Sequence, residues 1–267
     1  MPLPEPTGDL QRRKQLLRDE LTRQGGGVPA VVSGRAAEQL RRHPRYKAAS
    51  RIFVGPSAFL HQVRINCLLD GKELIMPGPG LKDGFYRFRP NSIAFRDLPR
   101  AVTVKGMARF AAKVTRQDLG RLSLSLLITD AVAIDTGGSR LGDGQGFFDL
   151  SYAIFAAYGT LADRPTVMVL ALPEQIVTEP LPCACWDVPV DFIITGDTVL
   201  PIAAAPPPPR RIYWEALPSR KIRKISPLWW LRGGDHPAEK EGEMQPVAGE
   251  RGEQGERPSN DAKGDTP

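Results

Sequence analysis

Cysteine is scarce, with only Cys67, Cys183 and Cys185 in 267 residues. That excludes a disulfide framework and makes a reducing cytoplasm the expected compartment. Cys183-Ala-Cys185 has no second Cys or His pair nearby, so a metal site is not expected there, and both thiols are expected to be buried beside Trp186. Histidine is equally scarce, and His43, His61 and His236 lack ligand spacing. No apolar run approaches the roughly 20 residues that span a bilayer, so no membrane partner is expected. The opening MPLPEPTGDLQRRK has no apolar stretch of the signal-peptide kind. No Gly-Lys-Ser/Thr follows a glycine run and no G-x-G-x-x-G is present, which sets aside the common P-loop and the dinucleotide fingerprint.

What is present is a basic chain with enough apolar residues, 41%, for a sizeable core. Its net charge of +6 is uneven. Residues 233–267 hold nine acids and four bases, a balance of −5, so the remainder carries +11. That excess suits an anionic ligand such as a nucleotide. RNA is a weaker alternative, because the chain has no RNP-like aromatic motif, and nucleic acid is not the expected partner.

Composition divides the chain into three parts. Residues 1–202 read as one α/β domain. Residues 203–232 begin with the stiff connector AAAPPPPRR and continue into an amphipathic, aromatic stretch expected to pack back on the domain, since exposed Trp229 and Trp230 would form a sticky patch. Residues 233–267 are polar and repetitive, too poor in apolar residues to fold alone, and are expected to be a disordered tail.

Within the domain, helical patterns alternate with β-branched runs. Helices are predicted at Leu10–Gln24 (stopped by Gly25-Gly26-Gly27), Arg35–Arg42, Leu60–Leu69 and Phe147–Leu161. Strands are predicted at Ile52–Val54, Glu73–Met76, Ala101–Val104, Leu124–Ile134, Thr166–Leu172 and Asp191–Ile194. Such alternation predicts a mostly parallel sheet covered by helices on both faces, an α/β/α sandwich.

The chemistry concentrates between Leu127 and Tyr158. An apolar strand runs into a turn with glycines at 137, 138, 142, 144 and 146, and a helix starts at Phe147. Glycines let successive N–H groups converge on an anion, and the helix N-terminus adds partial positive charge. Arg140 is placed to neutralise phosphate, and Asp149 to hold Mg²⁺ bridging phosphates. Lys14 and Arg18, spaced i, i+4, share a helix face.

The run Arg140-Leu-Gly-Asp-Gly-Gln-Gly-Phe-Phe-Asp149 resembles the R-L-G-x-G-x-G-Y-Y-D signature of the 5-formyltetrahydrofolate cyclo-ligases. Lys14 and Arg18 match the family's K-x-x-x-R, Asp135 its phenylalanine-aspartate pair, and Gln175, Leu181-Pro182 and Asp187–Thr195 its C-terminal pattern. The likeness covers roughly residues 10–200, and is strongest toward the divergent branch that includes the methenyltetrahydrofolate synthetase domain-containing proteins.

The resemblance implies a three-layer α/β/α fold and an ATP- and Mg²⁺-dependent ligase that acts on a reduced folate, favoured as a monomer. It assigns ATP phosphates to Lys14, Arg18, Arg140 and the turn Gly142, Asp143, Gly144, Gln145, Gly146, Phe147 and Phe148, with Arg140 catalytic and Asp149 the metal ligand. The family's folate-binding glutamate falls near Phe59, and no acid occurs in residues 57–69. Phe59, Gln62 and Arg64 are therefore the expected substrate contacts. A non-folate substrate, for instance a thiamine-related one, and a non-catalytic binding protein remain the alternatives.

Overall fold

The computed structural model describes residues 7–24 and 30–233. Its strands are β1 (Arg51–Val54), β2 (Glu73–Pro77), β3 (Phe85–Phe88), β4 (Ala112–Lys113), β5 (Leu124–Asp130), β6 (Ala133–Asp135), β7 (Arg140–Leu141), β8 (Leu161–Leu170), β9 (Ile176–Val177), β10 (Phe192–Ile194) and β11 (Val199–Pro201). Eight form one sheet in the order β11-β10-β8-β5-β1-β2-β3-β4, parallel through its five central strands and antiparallel at both edges. The mostly parallel sheet read from the sequence is present. The central strands are apolar where both faces are covered, at Ile52–Val54, Leu126–Ile128 and Val167–Leu170.

Alternate residues of these strands feed two cores. Ile52, Val54, Leu126, Ile128, Met168 and Leu170 pack with Leu40, Val63 and Cys67 of the helices Ala30–Arg42 and His61–Leu69. Phe53, Leu127, Val167 and Val169 pack with Tyr152, Ile154 and Phe155 of the helix Phe147–Ala157. Ile222, Ile225, Leu228 and Trp230 are buried in this second core. Ser226 N–H and Oγ donate to Lys82 O at 2.9 and 2.7 Å, and the Tyr158 hydroxyl donates to Pro227 O at 3.1 Å. Gly84 makes this approach possible, since a Cβ there would lie 2.7 Å from the Pro227 ring.

Several elements differ from the sequence reading. Residues 101–104, expected as a strand, are instead the last residue of a short helix, Leu98–Ala101, and the turn that follows it. Pro99 sits in the first turn of that helix, and the chain folds back so tightly that a Cβ on Gly106 would lie 2.0 Å from Arg100 O. The run Leu124–Ile134 is two strands. β5 stays in the main sheet, while β6 pairs with β7 and β9 in a second, three-stranded sheet. Gln175 supports the break by donating to Ala131 O at 2.8 Å. The helix from Phe147 ends at Ala157, because Gly159 turns the chain at positive φ into β8. β3 was not anticipated, although Phe-Tyr-Arg-Phe bounded by Gly84 and Pro90 carries a strand signature. The expected stop at residues 25–27 and the expected disordered tail fall outside the described residues, save Gly233. Among the described residues no helix is long and apolar enough to cross a membrane.

Candidate functional site

A cavity of about 910 Å³ opens at the carboxyl ends of β1 and β5, large for a small-molecule site. The strand order reverses between these two strands. The chain passes from β1 to β2 on one side, and β5, β8 and β10 follow on the other. Ligands of open α/β sheets bind at such a reversal. Apolar walls come from Phe53, Phe148, Leu172 and Leu217, and one rim is the glycine turn.

The first helix, Thr7–Gln24, brings two cations to that rim. Lys14 is 4% exposed, and its ammonium is paired with Asp187, whose Oδ2 also accepts the Ala184 N–H at 2.7 Å. Arg18 Nε donates to Gly142 O at 2.7 Å, and its guanidinium lies against Gly144. The third cation comes from β7. Arg140 Nη2 donates to Asp149 Oδ1 at 2.6 Å, and the guanidinium sits over the Phe148 ring, 4.7 Å from its centroid. The guanidinium also packs against Gly142, where a Cβ would lie 2.7 Å from Arg140 Nη1 and displace it. Arg140 Nε is buried without a hydrogen-bond partner.

The turn is shaped by two aspartates. Asp135, 4% exposed, accepts the N–H groups of Gly137 and Ser139 on Oδ1 and of Leu181 on Oδ2. Asp143 Oδ1 accepts Gln145 N–H at 2.9 Å. The turn then enters the helix Phe147–Ala157 through Gly146, so the first N–H groups of an 11-residue helix meet the cavity. Asp149 lies in that first turn. Its Oδ1 takes both Arg140 and the Val188 N–H, at 2.9 Å for the latter.

Lys14, Arg18, Arg140, residues 142–148 and Asp149 are thus brought together around one cavity. Phe59, Gln62 and Arg64 are not among its lining residues. Phe59 is buried in the first core, and Gln62 donates to Asn66 Oδ1 at 2.8 Å on its own helix. Arg64 is 2% exposed and donates to the carbonyls of Val102, Gly55 and Ser57 at 2.7–2.9 Å. It supports the cavity wall at Gly55–Ser57 from behind. Cys183 and Cys185 are exposed, against the expectation of buried thiols, because the 181–186 loop runs over the surface. His43 caps the helix Pro44–Ala48 and His61 Nε2 meets Pro99 O at 2.7 Å, both structural roles.

A model of the 5-formyltetrahydrofolate cyclo-ligase family matches residues 9–196. The chain belongs to this cyclo-ligase family. It is 30% identical over 197 residues to the methenyltetrahydrofolate synthase domain-containing protein of Danio rerio, covering 70% of this chain and 50% of that one. It is 28% identical over 248 residues to the Mus musculus protein of the same name, covering 87% and 64%. The chain therefore spans between half and just under two thirds of these relatives. The solution structure of Aquifex aeolicus 5,10-methenyltetrahydrofolate synthetase shares the fold, with a TM-score of 0.50 and 19% identity over 75% of this chain and 98% of that one.

Two cavity features lie outside what the cyclo-ligase resemblance had marked. Asp130, the last residue of β5, lines the cavity where the predicted long strand breaks. Lys221 comes from beyond residue 196, the end of the family match, in the short helix Ser219–Lys224. Its ammonium donates to Gln145 O at 3.1 Å and lies over the Phe147 ring, and burial lowers its pKa while Asp143 raises it. An acid closing a strand at a sheet reversal is a readable signal. Nothing in the sequence joins Lys221 to a turn 76 residues away.

Proposed function

We propose that this protein is an ATP- and Mg²⁺-dependent ligase that closes 5-formyltetrahydrofolate to 5,10-methenyltetrahydrofolate. The reading rests on one observation above all. Lys14, Arg18 and Arg140, from two elements far apart in sequence, converge on a glycine turn at a helix N-terminus. That is a site for a polyphosphate.

In the reaction, the formyl oxygen attacks the γ-phosphorus and ADP leaves. The neighbouring bridge amine, outside the ring, then attacks the imidate carbon and loses its proton, and phosphate departs with the formyl oxygen. The turn N–H groups and the three cations hold the phosphates and stabilise charge as the phosphoryl group transfers. Asp149 suits a magnesium site built from one carboxylate, phosphate oxygens and water. Among the described residues no cluster of three His, Cys, Asp or Glu forms an all-protein metal cage, which agrees with that composition. Magnesium, when bound, would supply charge neutralisation at the phosphates.

The test is ultraviolet absorbance of the methenyl product. It should grow only with ATP, stop on chelation of divalent cations, and fall to background in Asp149→Ala. Absence of growth with intact ATP binding would reject folate as the substrate. That second reading, a different substrate on the same phosphate site, draws support from the placement of Phe59, Gln62 and Arg64 away from the cavity. A further prediction concerns Lys221. Lys221→Ala should weaken ATP by about five- to tenfold with kcat little changed, the effect of a partly exposed cation on a phosphate. An unchanged KM for ATP would remove Lys221 from the site.

A further inference from the structure

Five acids line the cavity, and four have evident roles or positions. Asp149 holds Arg140 and the Val188 N–H. Asp187 holds Lys14 and the Ala184 N–H. Asp143 caps the turn through Gln145 N–H, and Glu174 is an exposed residue. Asp130 has no ion pair among the described residues. It lines the cavity together with Ser57, and Arg140 acts on it from a distance.

Its position is defined by the sheet. Asp130 closes β5 beside β1, at the strand-order reversal. Across from it, Gly55–Ser57 follows β1. This segment is tied down by Gly55 N–H to Ile128 O at 2.9 Å and by the Arg64 guanidinium on Gly55 O and Ser57 O. Both walls are therefore fixed before any ligand arrives. Burial raises the Asp130 pKa above its ordinary value, with Arg140 acting against it. A carboxyl set in a partly apolar cavity without a cation is costly unless a ligand brings donors to it.

We propose that Asp130, with Ser57 beside it, is the acid that recognises the heterocycle of the substrate through two adjacent N–H donors. Two carboxyl oxygens match two parallel N–H groups, the geometry that makes bidentate pairs strong and selective. The amino-pyrimidinone ring of a reduced folate offers such an edge, with a ring N–H next to an exocyclic amine. The assignment rests on the folate reading above and gives that reading the substrate acid that residues 57–69 lack. It makes Asp130 a specificity residue, while the phosphate end belongs to the glycine turn.

The experiment titrates wild type, Asp130→Asn and Asp130→Ala with 5-formyltetrahydrofolate, and separately with a non-hydrolysable ATP analogue and Mg²⁺. Folate affinity should fall at least tenfold in Asp130→Asn and further in Asp130→Ala. ATP-analogue affinity should stay within twofold, which also shows that the variants fold. A folate analogue lacking the exocyclic amine should bind wild type and Asp130→Asn nearly alike. Equal folate affinity in wild type and variants would overturn the inference alone. Loss of ATP-analogue affinity in a variant that still melts like wild type would overturn it by moving Asp130 to the nucleotide. A wild type that binds no reduced folate would overturn the folate reading and the inference together.

Discussion

Arg140→Ala should lower kcat/KM by about 10²–10³, the range for removing one donor aimed at developing charge. Three effects act in the same direction. Arg140 is 9% exposed, so solvent screens its charge little, and the proposed phosphate site loses that charge. Asp149 loses its ion pair and keeps only the Val188 N–H on the same oxygen, so the proposed metal ligand loses its orientation. Phe148 loses the cation over its ring. Arg140→Lys should recover only part of the loss, because an ammonium cannot reach phosphate and Asp149 in the same planar arrangement. The check is steady-state kinetics on both variants beside a thermal melt. A kcat/KM within threefold of wild type in Arg140→Ala would contradict the role assigned to this residue.

Arg64→Leu should act on stability, not on substrate affinity. The three carbonyls that now share the guanidinium, those of Val102, Gly55 and Ser57, would be left with no donor from this side chain. A buried acceptor without a partner costs about 1–3 kcal/mol. Ser57 O keeps the Leu60 N–H at 3.3 Å, so the loss falls on Gly55 O and Val102 O and together costs on the order of 2–6 kcal/mol, a large part of the roughly 5–15 kcal/mol that holds a domain folded. Burial lowers the Arg64 pKa to about 10, so the side chain stays charged at neutral pH and all its donors are present. A urea titration should show the midpoint falling steeply. An unchanged midpoint with a raised KM for folate would instead make Arg64 a substrate contact, as its place in the sequence had suggested.

Arg64 illustrates how the site was and was not legible. Local pattern marked the glycine turn, because the spacing of 142, 144 and 146 before a helix carries its chemistry within ten residues. Lys14 and Arg18 were legible as one helix face. The likeness to the family then joined that face to the turn. Phe59, Gln62 and Arg64, expected on the substrate side, do not line the cavity. His61–Leu69 turns Arg64 inward, toward carbonyls of the β1 loop and of the turn after residue 101. The exposure of Cys183 and Cys185 depends in the same way on the path of a loop that no periodicity describes.

The sequence by itself determined the α/β class, the helix that starts at Phe147, the glycine turn and the helix face that carries Lys14 and Arg18. Each depends on hydrophobic period, glycine placement or i, i+4 spacing, which are local properties of the chain. Only the tertiary structure decided that β5 stops at Asp130 and hands over to a second sheet, that the acid there faces a cavity, and that Lys221 reaches the turn from a segment anchored by Leu228 and Trp230. Those outcomes follow from strand order and from packing between residues tens to more than a hundred positions apart. The free energy that selects them comes from burying the two faces of one sheet at once, and no stretch of sequence read alone contains both sides of that contact.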